Sequence, residues 1–261
     1  MTKRSTEAGP LVDRVKFSVI ADALAGKSIY YMPPIGRSVG SMLGVQGTLQ
    51  FFEDNGVKVL NDWSRDEIPE KPGPIDHFVY GGGIVGNLPG QAKYNRGWLV
   101  TKYLAENDIH VIGLPMSHLG GKEPLPTKFT LFAREEKSLA FIRFAHMAPD
   151  MSLYWRGQVP VRDPDGDVGI FLRNDDLALV GRMFGIGLGD PADLCNGLDG
   201  CFDLASRFEE IRTDRLMFAI CGLLIGRKVI LLPDKSHKNR SFWESWLKHM
   251  GCGWLEPPHA L

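Results

Sequence analysis

Short apolar runs alternate with glycine-containing turns and helix-like segments, and this alternation constrains the fold more than any other feature of the chain. The run at 28–32 ends at Pro33-Pro34, and a glycine-spaced turn leads into a helix-like segment. Asn55-Gly56 closes that segment before the next run at 57–60. Strand, turn, helix and strand make one βαβ unit, whose two strands are parallel. The pattern predicts an α/β protein in which helices cover a parallel sheet.

The same alternation continues toward the C-terminus. Further strands are predicted at 77–80, 109–114, 129–132, 168–172, 211–213 and 229–232, and helices at 17–25, 97–106, 135–144, 202–210, 214–224 and 241–250. Residues 1–15 are predicted to be a loose lead-in and residues 181–203 to be irregular. Residues 155–168 place glycines and prolines among charges, which is typical of a domain boundary. We therefore predict two Rossmann-like halves with parallel sheets, at residues 1–155 and 156–261.

Composition narrows the classes of partner. The net charge is −1, so no bulk charge favours nucleic acid or an anionic membrane, and an anionic substrate must meet a local cluster of arginine and lysine. No window approaches the roughly 18 apolar residues of a transmembrane helix, and residues 2–15 lack the apolar core of a signal peptide. We expect a cytoplasmic protein, and a peripheral position at the inner face of the membrane is left open.

The four cysteines are Cys195, Cys201, Cys221 and Cys252. They form no C-x-x-C pair and have no metal-ligand spacing with a histidine, so no metal site is expected. In a cytoplasmic protein we predict that all four are reduced thiols, with disulfides in a secreted protein as the alternative.

A glycine-rich segment follows the predicted strand at 77–80. Residues 81–86 fit G-x-G-x-x-G, the pattern of dinucleotide-binding folds. However, Asn87-Leu88-Pro89-Gly90 follows, where that pattern requires a helix. The segment fits better as a loop whose backbone N–H groups approach a ligand, and a tight turn without a ligand is an equal alternative.

Two segments near the C-terminus carry cations. The segment 211–220 places Arg215 at the start of an apolar helix capped by Thr213 or Asp214, a combination suited to phosphate or carboxylate. The alternative is structural, with Asp214 capping the helix and pairing with Arg215.

The loop after the strand at 229–232 holds Lys235, Lys238 and Arg240 beside His237, at a strand end where open α/β sheets bind ligands. The alternative for this loop is a solvated basic surface.

These segments together resemble the polysaccharide pyruvyltransferases. RTDRLMFAICGLLIGRKVILLPDKSHKNRSFWESWL, at 212–247, is similar to the family's T-D-R-L-H block, G-K-x-V strand, Y/H-K-N loop and aromatic helix. Five weaker matches precede it in the family's order: GSMLGVQGTLQFFEDNG, VYGGGIVGN, GLPMSHLG, TLFAREEKSLAF and PDMSLY. The resemblance covers residues 28 to 247.

The resemblance implies a compact GT-B-like fold, with two Rossmann-like halves facing a cleft. It implies transfer of the pyruvyl unit of phosphoenolpyruvate to two hydroxyls of a sugar, giving a cyclic ketal on a surface polysaccharide or its lipid-linked precursor. The scheme needs no metal or nucleotide cofactor. The implied partner is a sugar or oligosaccharide acceptor, with no nucleic acid, and self-association is left open.

The resemblance also assigns residues. Arg134 and Arg215 match family arginines and would hold the donor's anions, with help from Lys238 and Lys235. The remaining substrate-binding candidates are the loop residues Gly82 and Gly83, and Ser41 in the N-terminal glycine turn. Each of His118 and His237 is a candidate acid or base, and for each an exposed histidine without a catalytic role is the alternative.

Three features depart from the family pattern. Met217 stands where the family has a histidine, and a thioether cannot transfer a proton. Ser41 replaces an acidic residue, and 261 residues are few for two full halves. Three hypotheses follow: a pyruvyltransferase whose acid or base is His118 or His237, a related transferase with another donor such as a nucleotide sugar, and a non-catalytic binding protein of a glycan pathway.

Overall fold

The computed structural model describes residues 4–34, 39–61, 75–85, 104–106, 108–120, 127–142, 144–175, 178–179 and 187–256. Its strands are β1 Arg4–Ala8, β2 Ser28–Met32, β3 Lys58–Val59, β4 His77–Tyr80, β5 Gly83–Val85, β6 Val111–His118, β7 Phe129–Ala133, β8 His146–Met147, β9 Gly157–Val161, β10 Gly166–Phe171, β11 Phe208–Thr213, β12 Lys228–Leu231 and β13 Gly253–Trp254. Its α-helices are α1 Ser18–Leu24, α2 Val39–Asp54, α3 Glu136–Leu139, α4 Pro191–Leu194, α5 Gly197–Ser206, α6 Leu216–Leu224 and α7 Lys238–Ser245. Short 3-10 helices occupy Arg14–Phe17, Met151–Leu153 and Leu247–Met250.

The chain divides into two compact units. One comprises Val12–Gly36 and Gly44–Tyr154 and is called the N-terminal unit below. The other comprises Met1–Leu11, Arg37–Leu43 and Trp155–Leu261 and is called the C-terminal unit.

The sheet of the N-terminal unit is parallel throughout. Its order is β3-β2-β4-β6-β7-β8, with β5 also paired to β6. Strand β6 is buried at all eight positions, as expected for a central parallel strand covered on both faces. We predicted that this strand ends at Leu114. It instead continues through Pro115 to His118, because a register shift against β7 between Gly113 and Met116 accommodates the proline.

The C-terminal unit has a second, four-stranded parallel sheet in the order β10-β11-β12-β13. Helix α6 packs closely on this sheet at Gly222. A Cβ atom there would lie 2.8 Å from Ile211 Cδ1 and 2.9 Å from Val229 Cγ2. The predicted α/β fold with parallel sheets is therefore confirmed.

Several predicted boundaries were wrong. The helix predicted at 202–210 is α5, which begins at Gly197 and ends at Ser206, because residues from Phe208 onward pair with β10 on one side and, from Glu210, with β12 on the other. The predicted irregular segment 181–203 accordingly contains α4 and part of α5. Of the helix predicted at 97–106, only 104–106 lies among the described residues, and it is helical.

Three further expectations were also corrected. The lead-in contains β1, which pairs with β9 in antiparallel register from Arg4–Val161 to Ala8–Gly157. Of the helix predicted at 135–144, α3 forms a single turn, which begins only at Glu136 because the buried Glu135 has an extended backbone. The last helix ends at Ser245 and is followed by the 3-10 helix Leu247–Met250.

The prediction of four reduced cysteines was wrong for two of them. Cys195 and Cys201 form a disulfide with Cα atoms 5.2 Å apart, because the turn between α4 and α5 brings the end of one helix beside the other. Cys221 and Cys252 are free, as predicted, and both are buried. Since disulfides are rare in reducing compartments, cysteine usage no longer supports a cytoplasmic location.

No helix within the described residues has the length and apolar character needed to cross a membrane.

Candidate anion-binding site

The carboxyl ends of β10, β11 and β12 bring charged side chains to one edge of the C-terminal sheet. Arg173 and Asp175 follow β10, Asp214 and Arg215 follow β11, and Asp234 follows β12. Parallel strands have their carboxyl ends at the same edge, where open α/β sheets bind ligands.

Arg215 is held in place by a buried aspartate. Its Nε donates to Asp190 Oδ1 at 2.8 Å, and its Nη2 donates to Asp190 Oδ2 in a second, short hydrogen bond. Asp190 also accepts from the backbone N–H groups of Ala192 and Asn174. Burial alone would raise the pKa of Asp190, but these donors outweigh it and hold the pKa below its usual value. Burial alone would lower the pKa of Arg215, but Asp190 and Asp175 raise it, so the guanidinium stays charged.

Arg173 is held in the same way by another buried aspartate. Its Nη1 donates to Asp234 Oδ2 at 3.0 Å, and Lys238 Nζ lies 2.9 Å from the same oxygen. The Ser236 N–H and hydroxyl donate to Asp234 Oδ1 at 2.9 and 2.7 Å. Burial would raise the pKa of Asp234, but Lys238, Ser236 and Arg173 together lower it.

The remaining nitrogens of both arginines converge on Asp175. Arg173 donates from Nε to Oδ1 at 2.7 Å and from Nη2 to Oδ2 at 2.9 Å. Arg215 Nη1 lies 3.0 Å from the same Oδ2. The Asp175 side chain is 40% exposed, whereas that of Asp190 is fully buried. One carboxylate thus bridges two guanidinium groups at the surface of the site.

Asp214 is a fully buried carboxyl group in this cluster. Its Oδ1 accepts from the Arg173 backbone N–H at 2.8 Å, and its Oδ2 has no hydrogen-bond partner among the described residues. Burial raises its pKa to about 6, although Arg173, Arg215 and Lys238 act in the opposite direction. The predicted cap by Thr213 or Asp214 was wrong, because α6 begins at Leu216 and its N-cap residue is Arg215, which makes no side-chain capping bond. The alternative pairing of Asp214 with Arg215 was wrong too, because the Arg215 side chain pairs with Asp190 and Asp175.

The three candidates of the basic loop lie in different environments. Lys238 is buried against Asp234, Lys235 is exposed, and His237 is half-buried at the residue before α7. Behind them, Asn239 Nδ2 donates to the backbone oxygens of Asp214 and Leu232, which ties the ends of β11 and β12 together. Of the three, the structure brings only Lys238 into the arginine–aspartate cluster, through Asp234.

Arg134 lies in the N-terminal unit, inside a separate buried network. Its side chain is 4% exposed, and it donates from Nε to Ser117 Oγ and from Nη1 to Asp150 Oδ2, both at 2.8 Å. The fully buried Glu135 has an oxygen 3.5 Å from Arg134 Nε and accepts from Ser117 at 2.9 Å. A donor anion at Arg134 would have to compete with two buried carboxylates.

His118 is the last residue of β6 in the same unit. It is buried, its backbone N–H donates to Ser138 Oγ at 2.8 Å, and its ring stacks on Phe141 with centroids 6.1 Å apart. The expectation of an exposed histidine is therefore wrong for this position.

The glycines of the predicted ligand loop have steric reasons to be glycine. Gly82 has φ of 71°, and a Cβ atom there would lie 2.9 Å from the Pro115 oxygen. Gly83 has φ of 109° and begins β5, which pairs with β6. Residues 86–103, where a dinucleotide-binding helix would begin, lie outside the described residues. Ser41 is half-buried in the first turn of α2.

Sequence reasoning missed Arg173, Asp175, Asp190 and Asp234, which provide most of the charge in the cluster. One signal was present for Asp190, since aspartate before proline is typical of a helix start. The described residues contain no group of three or more His, Cys, Asp or Glu side chains suited to a metal ion.

Comparison with known proteins supports the fold alone. No protein-family model and no curated protein matches the chain. Among solved structures, the chain is similar to a functionally uncharacterised protein from Klebsiella pneumoniae subsp. pneumoniae NTUH-K2044, with a TM-score of 0.65 and 19% identity. The match covers 93% of this chain and 98% of the other.

Proposed function

We propose that this protein is a transferase that binds an anionic donor at the carboxyl edge of the C-terminal sheet, and that the donor is phosphoenolpyruvate. The observation that carries the proposal is the convergence of the Arg173 and Arg215 guanidiniums on one partly exposed carboxylate. Paired arginines suit the planar carboxylate and the phosphate of this donor. The compact GT-B-like arrangement implied by the resemblance, and a cytoplasmic location, belong to the same proposal.

The reaction joins the donor to two hydroxyls of a sugar. A proton adds to the methylene carbon of phosphoenolpyruvate, and the first hydroxyl bonds to C2. The bond between C2 and the phosphate oxygen then breaks, the second hydroxyl bonds to C2, and inorganic phosphate leaves. Of the two protons lost by the hydroxyls, one balances the proton added to carbon and the other leaves with phosphate. The acceptor is a sugar of a surface polysaccharide or its lipid-linked precursor.

The C-terminal unit offers two proton-transfer groups. Asp214 precedes Arg215, and its pKa of about 6 allows it to carry a proton near neutrality. His237 follows Asp234 in the basic loop. Either group would replace the family histidine, whose position is occupied by the half-buried Met217 in the first turn of α6.

The test is incubation with phosphoenolpyruvate and a panel of galactose- and mannose-containing acceptors. We expect phosphate release and an acceptor heavier by one pyruvyl ketal. Arg215→Ala should weaken donor binding by about ten- to a hundredfold, because hydrogen bonds to charged groups contribute about 1.5–3 kcal/mol each. Arg212→Ala removes a surface arginine paired with Glu210 and is the matched control. Absence of both turnover and donor binding would refute the proposal.

Two further variants separate the proton-transfer candidates. Asp214→Asn and His237→Gln should each bind the donor, and the variant that removes the proton-transfer group should lose turnover.

The half-buried Met217 favours a second candidate donor, a nucleotide sugar, because the family's proton-transfer histidine is absent from that position. Calorimetric binding of a nucleotide sugar, together with no response to phosphoenolpyruvate, would favour that candidate.

A further inference from the structure

The two arginines of the site differ in how firmly their carboxylate partners are held. Asp190 and Asp234 are buried, and each accepts additional hydrogen bonds from neighbouring N–H or hydroxyl groups. These aspartates fix the direction in which Arg173 and Arg215 point. Asp175 is the partly exposed partner, and its carboxylate binds the arginine nitrogens that do not contact Asp190 or Asp234.

The geometry around Asp175 is that of a bound carboxylate or phosphate. Two parallel hydrogen bonds from Arg173, at 2.7 and 2.9 Å, form the fork that arginine presents to such anions. Arg215 adds a third contact at 3.0 Å to one of the same oxygens. A ligand with two oxygens in those positions would satisfy all three nitrogens.

The charge balance of the cluster supports the same interpretation. Counted over the described residues alone, Arg173, Arg215 and Lys238 supply three positive charges against four aspartates, Asp175, Asp190, Asp214 and Asp234. With all groups ionised the cluster is negative by one charge. Withdrawal of Asp175 leaves three charges of each sign, so an incoming anion no longer meets an excess of carboxylates.

We propose that Asp175 occupies the anion site of this protein as an internal competitor, which a phosphate- or carboxylate-bearing ligand must displace from Arg173 and Arg215. This inference rests on the anion site of the proposed function and adds its regulation. The observed affinity for the anion is then the intrinsic affinity of the arginine pair multiplied by the fraction of time during which Asp175 does not occupy the pair.

The test is calorimetric titration with inorganic phosphate at constant ionic strength. If Asp175 occupies the site for about nine-tenths of the time, Asp175→Ala binds phosphate about tenfold more tightly than the wild type. Asp175→Asn retains the side-chain shape without the charge and should shift the affinity in the same direction. The double variant Asp175→Ala, Arg215→Ala should lose the gain.

Asp167→Asn is the matched control, because it removes an exposed carboxylate of β10 and changes the net charge equally. Phosphate affinity that is unchanged or weaker in Asp175→Ala would overturn the inference, as would no measurable binding in any variant. An equal gain in Asp167→Asn would overturn it too, because the effect would then come from net charge. If Asp175→Ala gains affinity for phosphate while phosphoenolpyruvate gives neither binding nor turnover, the internal competitor stands and the proposed function fails.

Discussion

Replacement of Asp214 by asparagine should stabilise the protein at neutral pH. The carboxyl group is fully buried, and burial raises its pKa from 3.8 to about 6. A raised pKa means that the folded protein binds the proton more tightly than the unfolded chain does. Ionisation in the folded state therefore costs stability, and this cost develops as the pH rises from 3.8 to about 6.

The magnitude follows from the two pKa values. Their difference, at 1.36 kcal/mol per pH unit, corresponds to about 3 kcal/mol once both states are ionised. Arg173, Arg215 and Lys238 already act on the folded-state value, so their attraction is included. Asparagine keeps an oxygen for the Arg173 N–H and carries no charge. The stability of Asp214→Asn relative to the wild type should thus rise by about 2 kcal/mol between pH 4 and pH 8, because part of the cost is already present at pH 4.

Urea unfolding of both proteins across this pH range measures the difference. An unpaired amide nitrogen in the variant would shift every point by the same amount, so the diagnostic quantity is the change with pH. Asp167→Asn, at an exposed position of β10, is the control for the change in net charge. A difference between wild type and Asp214→Asn that stays constant from pH 4 to pH 8 would refute a buried, costly carboxylate.

Two further variants test other parts of the structure. Arg134→Met should lower the free energy of unfolding by about 3–5 kcal/mol, because it leaves two buried carboxylates without their cation, whereas the surface variant Arg212→Met should change it by less than about 1 kcal/mol. If Arg134→Met unfolds like the wild type but loses donor binding, Arg134 is a ligand residue. Cys195→Ser should cost about 2 kcal/mol in urea unfolding under non-reducing conditions, and addition of dithiothreitol should remove the difference from the wild type. An identical stability before reduction would show that the disulfide does not form in solution.

The parallel sheets could be predicted because most internal strands are local apolar runs, although β11, with the sequence FEEIRT, is not. Strands β2, β4 and β12 bury alternate or successive side chains, and their sequences show this directly. The missed strands lack such a signal. Strand β13 has only two residues, and β1 depends on pairing with β9, some 150 positions away in the chain. Long-range pairing of this kind leaves no periodicity in either segment.

The candidate site was predictable only where local structure determines it. Arg215 could be identified because it precedes a recognisable apolar helix. Its partner Asp190 is 25 positions away, and Arg173 and Asp234 are separated by 61 positions. In the sequence, each of these three residues is a single charged residue in a polar loop, and nothing nearby indicates its partner. Their pairing arises when parallel strands bring separate loops to one edge of the sheet.

The four aspartates of the cluster differ in burial and in hydrogen-bond partners, and these differences give them different roles. Buried ion pairs contribute little net stability, because desolvation of both charges offsets their attraction. The pairs of Asp190 with Arg215 and of Asp234 with Arg173 are therefore better explained by orientation than by stability. A guanidinium held in one direction loses less conformational entropy when a ligand binds, and this preorganisation increases affinity. Asp175 lowers the affinity for the ligand, because it competes for the same arginine nitrogens at the surface of the site. Asp214 adds a buried carboxyl group with a pKa of about 6, which can gain or lose a proton near neutral pH. Buried aspartates that orient the arginines, a partly exposed aspartate that competes with the ligand and a buried aspartate that titrates together form an arrangement suited to exchanging one anion for another.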